Sequence, residues 1–248
     1  MILLLARRLL LLSLLFAAAT SADEVTMSFG ERIPPFCFPE TNSGIELEVI
    51  GEALAVKGHK LVPKYYTFAR IPVAFKLKQV DAAMTDLGED LTDHGAHYAM
   101  PAVWYDNVFI TLKERNLSIK TPADLKGLSV ISFHGARKRY PDWLEPLAAD
   151  GKYVPINDQE KQVLMLMNKR VDVVLSDRSI FEYFSKQLLS SNRLANLPAV
   201  TEHKFTKVDL NNYRPIFRSK KIRDDFNFGY EKIKKSGRLQ AIYDKYLK

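Results

Sequence analysis

Two stretches of the chain, ninety-one positions apart, repeat one short pattern. The first reads Phe75-Lys-Leu-Lys-Gln-Val-Asp-Ala-Ala-Met-Thr-Asp86, and the second reads Leu166-Met-Asn-Lys-Arg-Val-Asp-Val-Val-Leu-Ser-Asp177. Each predicts the end of a helix, a basic turn and a short strand, followed by a hydroxyl residue next to an aspartate. An apolar run of this length is typical of a strand buried on both faces of a parallel sheet. The alternative is a coincidence between two ordinary buried strands.

The repeat predicts a hydroxyl-aspartate pair at the carboxyl edge of each of two sheets. Open α/β sheets bind their ligands at that edge. We therefore expect an α/β fold of two lobes, each a mostly parallel sheet flanked by helices, that face each other across a ligand cleft. Thr85 and Asp86 would lie on one side of this cleft and Asp177 on the other.

Patterns along the chain divide it between the two lobes. Strand and helix signals alternate before the first repeat, as in a parallel α/β lobe, and the capping-box spacing of Ser43 and Glu46 predicts a helix start. The predicted boundaries are 23–112 for the first lobe, 113–207 for the second and 208–248 for a return segment with two C-terminal helices. A strand from Asn212 to Phe217 would bring the chain back to the first lobe. Two connections between lobes suit a hinge.

The N-terminal residues have the order of a secretory signal peptide. Arg7 and Arg8 precede an apolar run at 9–19, and small residues lead to a cleavage site after Ala22. The sequence therefore predicts a signal peptide at residues 1–22 and a periplasmic mature protein. An uncleaved anchor is the alternative, but the run is shorter than a membrane span.

The charge pattern does not favour nucleic-acid binding. The net charge of +7 includes Arg7 and Arg8, which leaves +5 for the expected mature chain. Much of this excess lies in 220–248, where lysines alternate with apolar residues at helical spacing. That pattern predicts a solvated helix face rather than a nucleic-acid groove.

Motifs for metal or covalent chemistry are missing from the sequence. Cys37 is the only cysteine, so an exported chain has no internal disulfide, and its place between two phenylalanines favours a packed thiol over a nucleophile. His94 and His97 have no third ligand at metal spacing. A Gly-rich phosphate loop is also absent, and we expect no metal and no cofactor.

Polar and aromatic residues at the predicted strand and loop ends are the candidate ligand contacts. A cleft with aromatic walls and a few fixed charges suits a small charged solute. For Phe68 the alternative is a core position, for Arg70 a helix start, and for Asp86 and Asp177 a helix N-cap. The first lobe supplies Glu31, Phe36, Phe68, Arg70, Thr85 and Asp86, and the second supplies Phe133, Arg137 and Asp177.

With these segments in order, the chain resembles solute-binding protein family 3, the periplasmic amino-acid-binding proteins of ABC importers. The resemblance covers nearly all of the expected mature chain. The matching stretches are Ile33-Pro-Pro-Phe36 with Ser43-Gly-Ile-Glu-Leu-Glu-Val49, Gln79-Val-Asp-Ala-Ala-Met84, Ala123-Asp-Leu-Lys-Gly127, Val171-Asp-Val-Val-Leu-Ser-Asp177, and Lys235-Ser-Gly-Arg-Leu-Gln-Ala-Ile-Tyr-Asp-Lys-Tyr246.

The resemblance implies roles for particular residues. Phe36 would stack on the ligand, and Asp177 would bind its α-ammonium group. The family usually places an arginine that clamps the α-carboxylate where this chain has Gly95, in Thr92-Asp93-His94-Gly95. Arg137 would have to replace this bidentate guanidinium.

The resemblance implies a monomeric binding protein that captures a small polar solute, amine-containing or like an amino acid. It would deliver the solute to an ABC permease in the inner membrane, and it would not be an enzyme. Two alternatives remain on the same fold. One is a dehydratase of cyclohexadienyl acids with Glu31 or Asp86 as the acid. The other is a sensor or partner-binding protein that no longer binds a solute.

Overall fold

The computed structural model describes residues 23–207 and 213–248. The predicted signal peptide at 1–22 and the first residue of the predicted return strand, Asn212, lie outside the described residues. Within the described part, no helix has the length and apolar character to cross a membrane.

Ten strands, eight α-helices and three short 3-10 helices build the described chain. The strands are β1 (Glu24–Gly30), β2 (Lys60–Tyr66), β3 (Ala82–Ala83), β4 (His97–Tyr98), β5 (Asn107–Leu112), β6 (Val130–Ser132), β7 (Tyr153–Pro155), β8 (Val173–Asp177), β9 (Val200–His203) and β10 (Ile216–Phe217). The helices are α1 (Ile45–Ala55), α2 (Arg70–Lys76), α3 (Ala136–Arg139), α4 (Pro141–Ala149), α5 (Gln159–Met167), α6 (Arg178–Ser190), α7 (Lys220–Lys235) and α8 (Arg238–Leu247).

The strands form two sheets of five, one in each lobe. The first sheet has the order β2-β1-β3-β10-β4, and the second has the order β7-β6-β8-β5-β9. In the first sheet β1 runs parallel to β2 and β3, whereas β10 runs antiparallel to β3 and β4. In the second sheet β6 runs parallel to β7 and β8, whereas β5 runs antiparallel to β8 and β9. Both sheets are therefore mixed, but four of the five strands in each run in one direction, as predicted for a mostly parallel sheet, and only β10 or β5 is reversed.

The predicted lobe boundary at residue 112 is wrong, because β5 belongs to the second sheet. It was expected to end the first lobe, yet its residues pair with β8 and β9. The chain crosses to the second lobe after Tyr98 and returns between His203 and Ile216. The boundary was misplaced because the first strand after each crossing, β5 or β10, pairs antiparallel in the lobe that the chain enters. A strand pattern in the sequence does not show which strand it pairs with.

The two copies of the repeat have the same backbone conformation. Lys78 and Lys169, ninety-one positions apart, both adopt a left-handed conformation, with φ of 58° and 59°. Each ends its helix in the same way, since the amides of Lys78 and Lys169 donate to the carbonyls of Phe75 and Leu166. This closing turn is the common αL end of a helix.

The first aspartate of each repeat, Asp81 or Asp172, binds a backbone amide of the neighbouring strand segment. Asp81 accepts a hydrogen bond from the backbone amide of Thr26 at 2.9 Å, and Asp172 accepts one from the amide of Ser129 at 2.9 Å. Each carboxylate thereby fixes the start of β3 or β8 against the neighbouring parallel strand. The repeat is a structural equivalence between the lobes, as the sequence predicted.

Helix α1 begins differently from the prediction. Its N-cap is Gly44, with φ of 121°, and no side chain caps the helix. A Cβ atom at Gly44 would lie 2.4 Å from the carbonyl oxygen of Phe36, so only glycine fits there. The capping box of Ser43 and Glu46 is therefore wrong, and the Glu46 side chain turns into the interior instead, where the residue is only 1% exposed.

Helices α1 and α7 pack at close range beside the first sheet. A Cβ atom at Gly229 of α7 would lie 1.9 Å from the carbonyl oxygen of Ala53 in α1. The C-terminal helices are thus part of the first lobe. They hold β10 against the rest of that lobe.

Candidate functional site

A small enclosed cavity lies between the two lobes. Its volume is about 30 Å³, enough for a water molecule or two but far below the ~300 Å³ of a typical ligand pocket. Both lobes and both crossing segments line it, through Gly30, Ile33, Glu46, Phe68, Ile71, Met84, Thr85, Leu87, Tyr105, Asn107, Phe133, Gln159, Asp177, Ile180 and Tyr213. The lobes are therefore closed on their own side chains.

The carboxyl group of Glu46 is the most buried acid of the cavity. Its Oε1 accepts a hydrogen bond from the hydroxyl of Tyr105, and no described residue donates to its Oε2. Burial raises the pKa of Glu46 to about 8, and the Tyr105 hydrogen bond opposes this only in part. A hydrogen-bond donor or a cation that enters the cavity would therefore stabilise this buried carboxyl group.

Asp177 is the second buried acid, with 3% of the residue exposed. Its Oδ1 accepts from the backbone amide of Ile180 at 3.1 Å, which caps α6, and its Oδ2 accepts from the amide of Asp106 at 2.7 Å. Burial raises the pKa of Asp177 to about 7, because the loss of water outweighs these amide hydrogen bonds. Asp177 is therefore a helix N-cap, the predicted alternative, and also part of the cavity wall.

Aromatic residues join the two crossing segments beside the cavity. The rings of Tyr105 and Tyr213 lie 4.5 Å apart between centroids. The amide nitrogen of Asn107, at the start of β5, donates to the hydroxyl of Tyr213 and to that of Tyr140, each at 3.1 Å. The segments that connect the two lobes thus also form one wall of the cavity.

Arg139 reaches from the second lobe into the first. Its Nη2 donates to the hydroxyl of Thr85 at 2.6 Å and lies 3.4 Å from Oδ1 of Asp86. The guanidinium carbon lies 4.0 Å from the centroid of the Tyr213 ring, and the side chain is only 2% exposed. A guanidinium group therefore crosses the cleft where the first strand-end pair, Thr85 and Asp86, was predicted to meet a solute.

Four of the residues singled out in the sequence line the cavity: Phe68, Thr85, Phe133 and Asp177. Asp86 lies next to them in an open polar pocket of about 370 Å³, where it accepts hydrogen bonds from Tyr98 and from the amide of Gly88. Residues chosen because they follow strand ends of the α/β sheets thus come from both lobes and lie close together.

Four other predicted contacts lie away from the cavity. Phe36 is buried in the first lobe with its ring 4.3 Å from that of Tyr105, so it supports a wall residue from behind. Glu31 is exposed in a pocket at the mouth of the cleft, and Arg70 is exposed at the start of α2. Arg137 is 52% exposed and pairs with Glu145 of its own lobe at 3.3 Å.

Sequence reasoning missed Glu46, Tyr105, Asn107, Arg139, Gln159 and Tyr213. The replacement for the absent clamp at Gly95 was sought at Arg137, two residues from Arg139. Residues two apart on a helix point to nearly opposite sides, so only one of the two can face the cleft. Glu46 was assigned to a capping box, which hid it as a site residue.

Solved structures with this architecture are numerous. An ancestral arginine-binding protein bound to arginine has 22% identity and a TM-score of 0.70, over 91% of this chain and 98% of that one. The fold is that of the periplasmic binding proteins. A histidine kinase sensor domain with similarity to periplasmic binding proteins has 18% identity and a TM-score of 0.71, over 91% of this chain and 96% of that one.

A third similar structure concerns the predicted alternatives. It is an ancestral amino-acid-binding protein described as a precursor of cyclohexadienyl dehydratase, with 17% identity and a TM-score of 0.67, over 91% of this chain and 96% of that one. No protein-family model and no curated protein matches the chain. Further similar structures include two described as amino-acid ABC transporter binding proteins, with 17% and 18% identity and TM-scores of 0.69 and 0.65.

Proposed function

We propose that the chain is a periplasmic solute-binding protein of an ABC importer and that it binds a small solute with a cationic amine between its lobes. The similarity to amino-acid-binding proteins supports the binding role, and the predicted signal peptide supports export. The protein would act as a monomer that hands its solute to an inner-membrane permease.

The observation that carries the proposal is the pair of buried acids in one cavity. Glu46 and Asp177 both face a space whose remaining walls are mainly aromatic and aliphatic, and no basic residue is among the described residues that line it. Burial raises the pKa of both carboxyl groups. An ammonium group placed here would restore the charged forms of the acids, since an opposite charge lowers the pKa of a carboxyl group.

Solute entry requires a change in the structure, because about 30 Å³ does not hold an amine with a carbon skeleton. The hinge between the lobes provides this change. In the solute-bound state the cavity between the lobes would then be larger than the one described above. The stability of that state would depend on the contacts that the solute makes with both lobes.

A thermal-shift screen of amino acids, polyamines and quaternary amines tests the proposal, together with mass spectrometry of protein purified without denaturation. A ligand at 100 times its dissociation constant stabilises the folded state by about 2.7 kcal/mol. We expect amines to raise the melting temperature and acids without an amine to leave it unchanged.

Variants locate the binding site. Asp177→Asn keeps one oxygen that can cap α6 but removes the charge and the acceptor for the amide of Asp106. It should weaken amine binding by about 1.5 to 3 kcal/mol and also lower the unfolding free energy by about 1 to 3 kcal/mol. Glu145→Gln, an exposed acid of the same lobe, is the matched control and should bind normally. Strong binding of an acid that carries no amine, unaffected by Asp177→Asn, would contradict the proposal.

The dehydratase alternative has its own test. Glu31, one acid assigned to that role, is exposed, and Asp86, the other, accepts hydrogen bonds from Tyr98 and Arg139. Glu46 is the better acid, because its raised pKa keeps it protonated at neutral pH. Loss of water from a cyclohexadienyl acid, abolished by Glu46→Gln, would identify an enzyme. We expect no turnover.

A further inference from the structure

The lobes touch where the loop 85–90 of the first lobe meets α3 of the second. A Cβ atom at Gly135, the residue before α3, would lie 3.3 Å from Cβ of Leu87. One at Gly88 would lie 3.4 Å from side-chain atoms of Lys138 and Arg139. Both glycines also have positive φ, of 91° and 82°. The two backbones therefore approach each other at a point where neither carries a bulky side chain.

Arg139 makes its contacts across this junction. The hydroxyl of Thr85 and the carboxylate of Asp86 belong to the first lobe, and the ring of Tyr213 belongs to the returning crossing segment. An oxygen acceptor, an anion and an aromatic face are the three kinds of group that bind a guanidinium ion. The three residues thus form a guanidinium site, and the second lobe supplies the occupant.

Arg139 also lies between the enclosed cavity and the open polar pocket. Thr85 and Tyr213 line the enclosed cavity, whereas Asp86, Arg139 and Tyr213 line the open polar pocket of about 370 Å³. Arg139 lies between the two, so a solute that enters from the polar pocket meets its guanidinium group first. Glu89, Asp90 and Arg214 also line that pocket, so it carries charges of both signs.

A second ion pair reinforces the junction. Glu89 accepts a hydrogen bond from Lys138 of the second lobe and another, at 2.5 Å, from Lys76 of the first lobe. Arg137 on the same helix takes no part, since it pairs with Glu145 inside its own lobe. Consecutive residues Lys138 and Arg139 therefore join the lobes, and Arg137 offers a matched control.

We propose that Thr85, Asp86 and Tyr213 form a binding site for a planar guanidinium-type cation, which Arg139 of the same chain occupies when the cleft is closed. The lobes then close without a solute, and a free cation of this class competes with Arg139 for the site. This inference needs no solute in the enclosed cavity, so it stands independently of the function proposed above.

Chemical rescue tests the proposal. Arg139→Ala should lower the melting temperature by several degrees and empty the site, and Arg137→Ala should change it little. Methylguanidinium at low millimolar concentration, far below the denaturing range, should then restore part of the lost melting temperature in Arg139→Ala only. Adding Asp86→Asn to Arg139→Ala removes the anion of the site and should abolish the rescue.

A second measurement covers the case in which Arg139→Ala does not fold. Arg139→Gln keeps a donor for Thr85 but has no charge and no planar fork, so X-ray scattering should show a larger radius of gyration than for the unaltered protein. Equal rescue of Arg139→Ala and Arg137→Ala would overturn the proposal. So would an unchanged radius of gyration in Arg139→Gln. Failure of the amine screen would leave both expected results unaltered.

Discussion

Glu46 shows how a backbone constraint creates a chemical group with unusual properties. Gly44 is the N-cap of α1 because the carbonyl of Phe36 leaves no room for a side chain. The helix then starts without a side-chain cap, and Glu46 in its first turn faces the cavity and Tyr105 rather than the helix end. A carboxyl group that the sequence pattern assigned to a capping box thus lies in the interior.

The raised pKa of Glu46 predicts a pH-dependent stability. Below its ordinary pKa of 4.5 the carboxyl group is protonated in the folded and the unfolded chain, and it adds no pH dependence. Between pH 4.5 and about 8 the folded chain keeps a proton that the unfolded chain has lost, so this residue lowers stability as the pH rises. Above about pH 8 its effect is constant.

Glu46→Gln should remove this dependence. We expect the variant to match the unaltered protein near pH 5 and to exceed its unfolding free energy near pH 8 by on the order of 3 kcal/mol. Urea unfolding at several pH values measures the difference, with Glu145→Gln as an exposed control. A constant difference across the pH range would show that Glu46 is ionised in the folded protein.

At the residue scale, sequence patterns predicted part of the cavity lining. Thr85 and Asp177 follow buried strands, and strand ends are readable because apolar runs stop there. Glu46, Tyr105 and Tyr213 reach the cavity through tertiary packing, which depends on how the crossing segments run between the lobes. No local pattern encodes that path, so these residues could not be chosen from the sequence.

At the scale of elements, helix and strand signals were accurate where the periodicity was long. The two C-terminal helices predicted within 208–248 occur as α7 and α8. Strand pairing was the weak point, because an apolar strand such as β5 fits either sheet equally well by composition.

The contact between α1 and α7 gives a prediction at this scale. Alanine favours a helix over glycine by about 1 kcal/mol, so propensity alone would make Gly229→Ala stabilising. The new Cβ would overlap the carbonyl of Ala53, and separating the helices should lower the unfolding free energy by about 1 to 3 kcal/mol.

Gly51 in α1 is the matched control. Its nearest neighbours to a new Cβ are side-chain atoms of Leu61, at 3.7 and 4.0 Å, which is ordinary contact. Gly51→Ala should therefore stabilise the protein by roughly 0.5 to 1 kcal/mol. Thermal unfolding of both variants decides the matter, and stabilisation by Gly229→Ala would mean that the two helices move apart without cost.

At the scale of the whole molecule, the two-lobed architecture was predictable and its chain path was not. The repeat identified two equivalent sheets, and the structure bears this out down to the paired φ angles of Lys78 and Lys169. The first crossing was placed after β5 instead of before it, because the first lobe has a discontinuous sequence. Only the pairing of β10 with β3 and β4 reveals which strand completes the first sheet.

That pairing also determines when each lobe can form. The second sheet uses residues 107–203, a continuous segment, whereas the first needs Ile216 and Phe217 between β3 and β4. Pulse-labelling hydrogen exchange during refolding should protect the amides of β6 and β8 before those of β4. Simultaneous protection would indicate that the lobes fold as one unit.

A nascent chain emerging from the ribosome meets the same constraint. Until residue 217 has passed through, β3 has an unpaired edge, and an unpaired edge is a template for association with other chains. Truncated products that end in the second crossing segment would therefore expose this edge permanently. Once β10 has been synthesised, it can pair with β3 and remove this site of association.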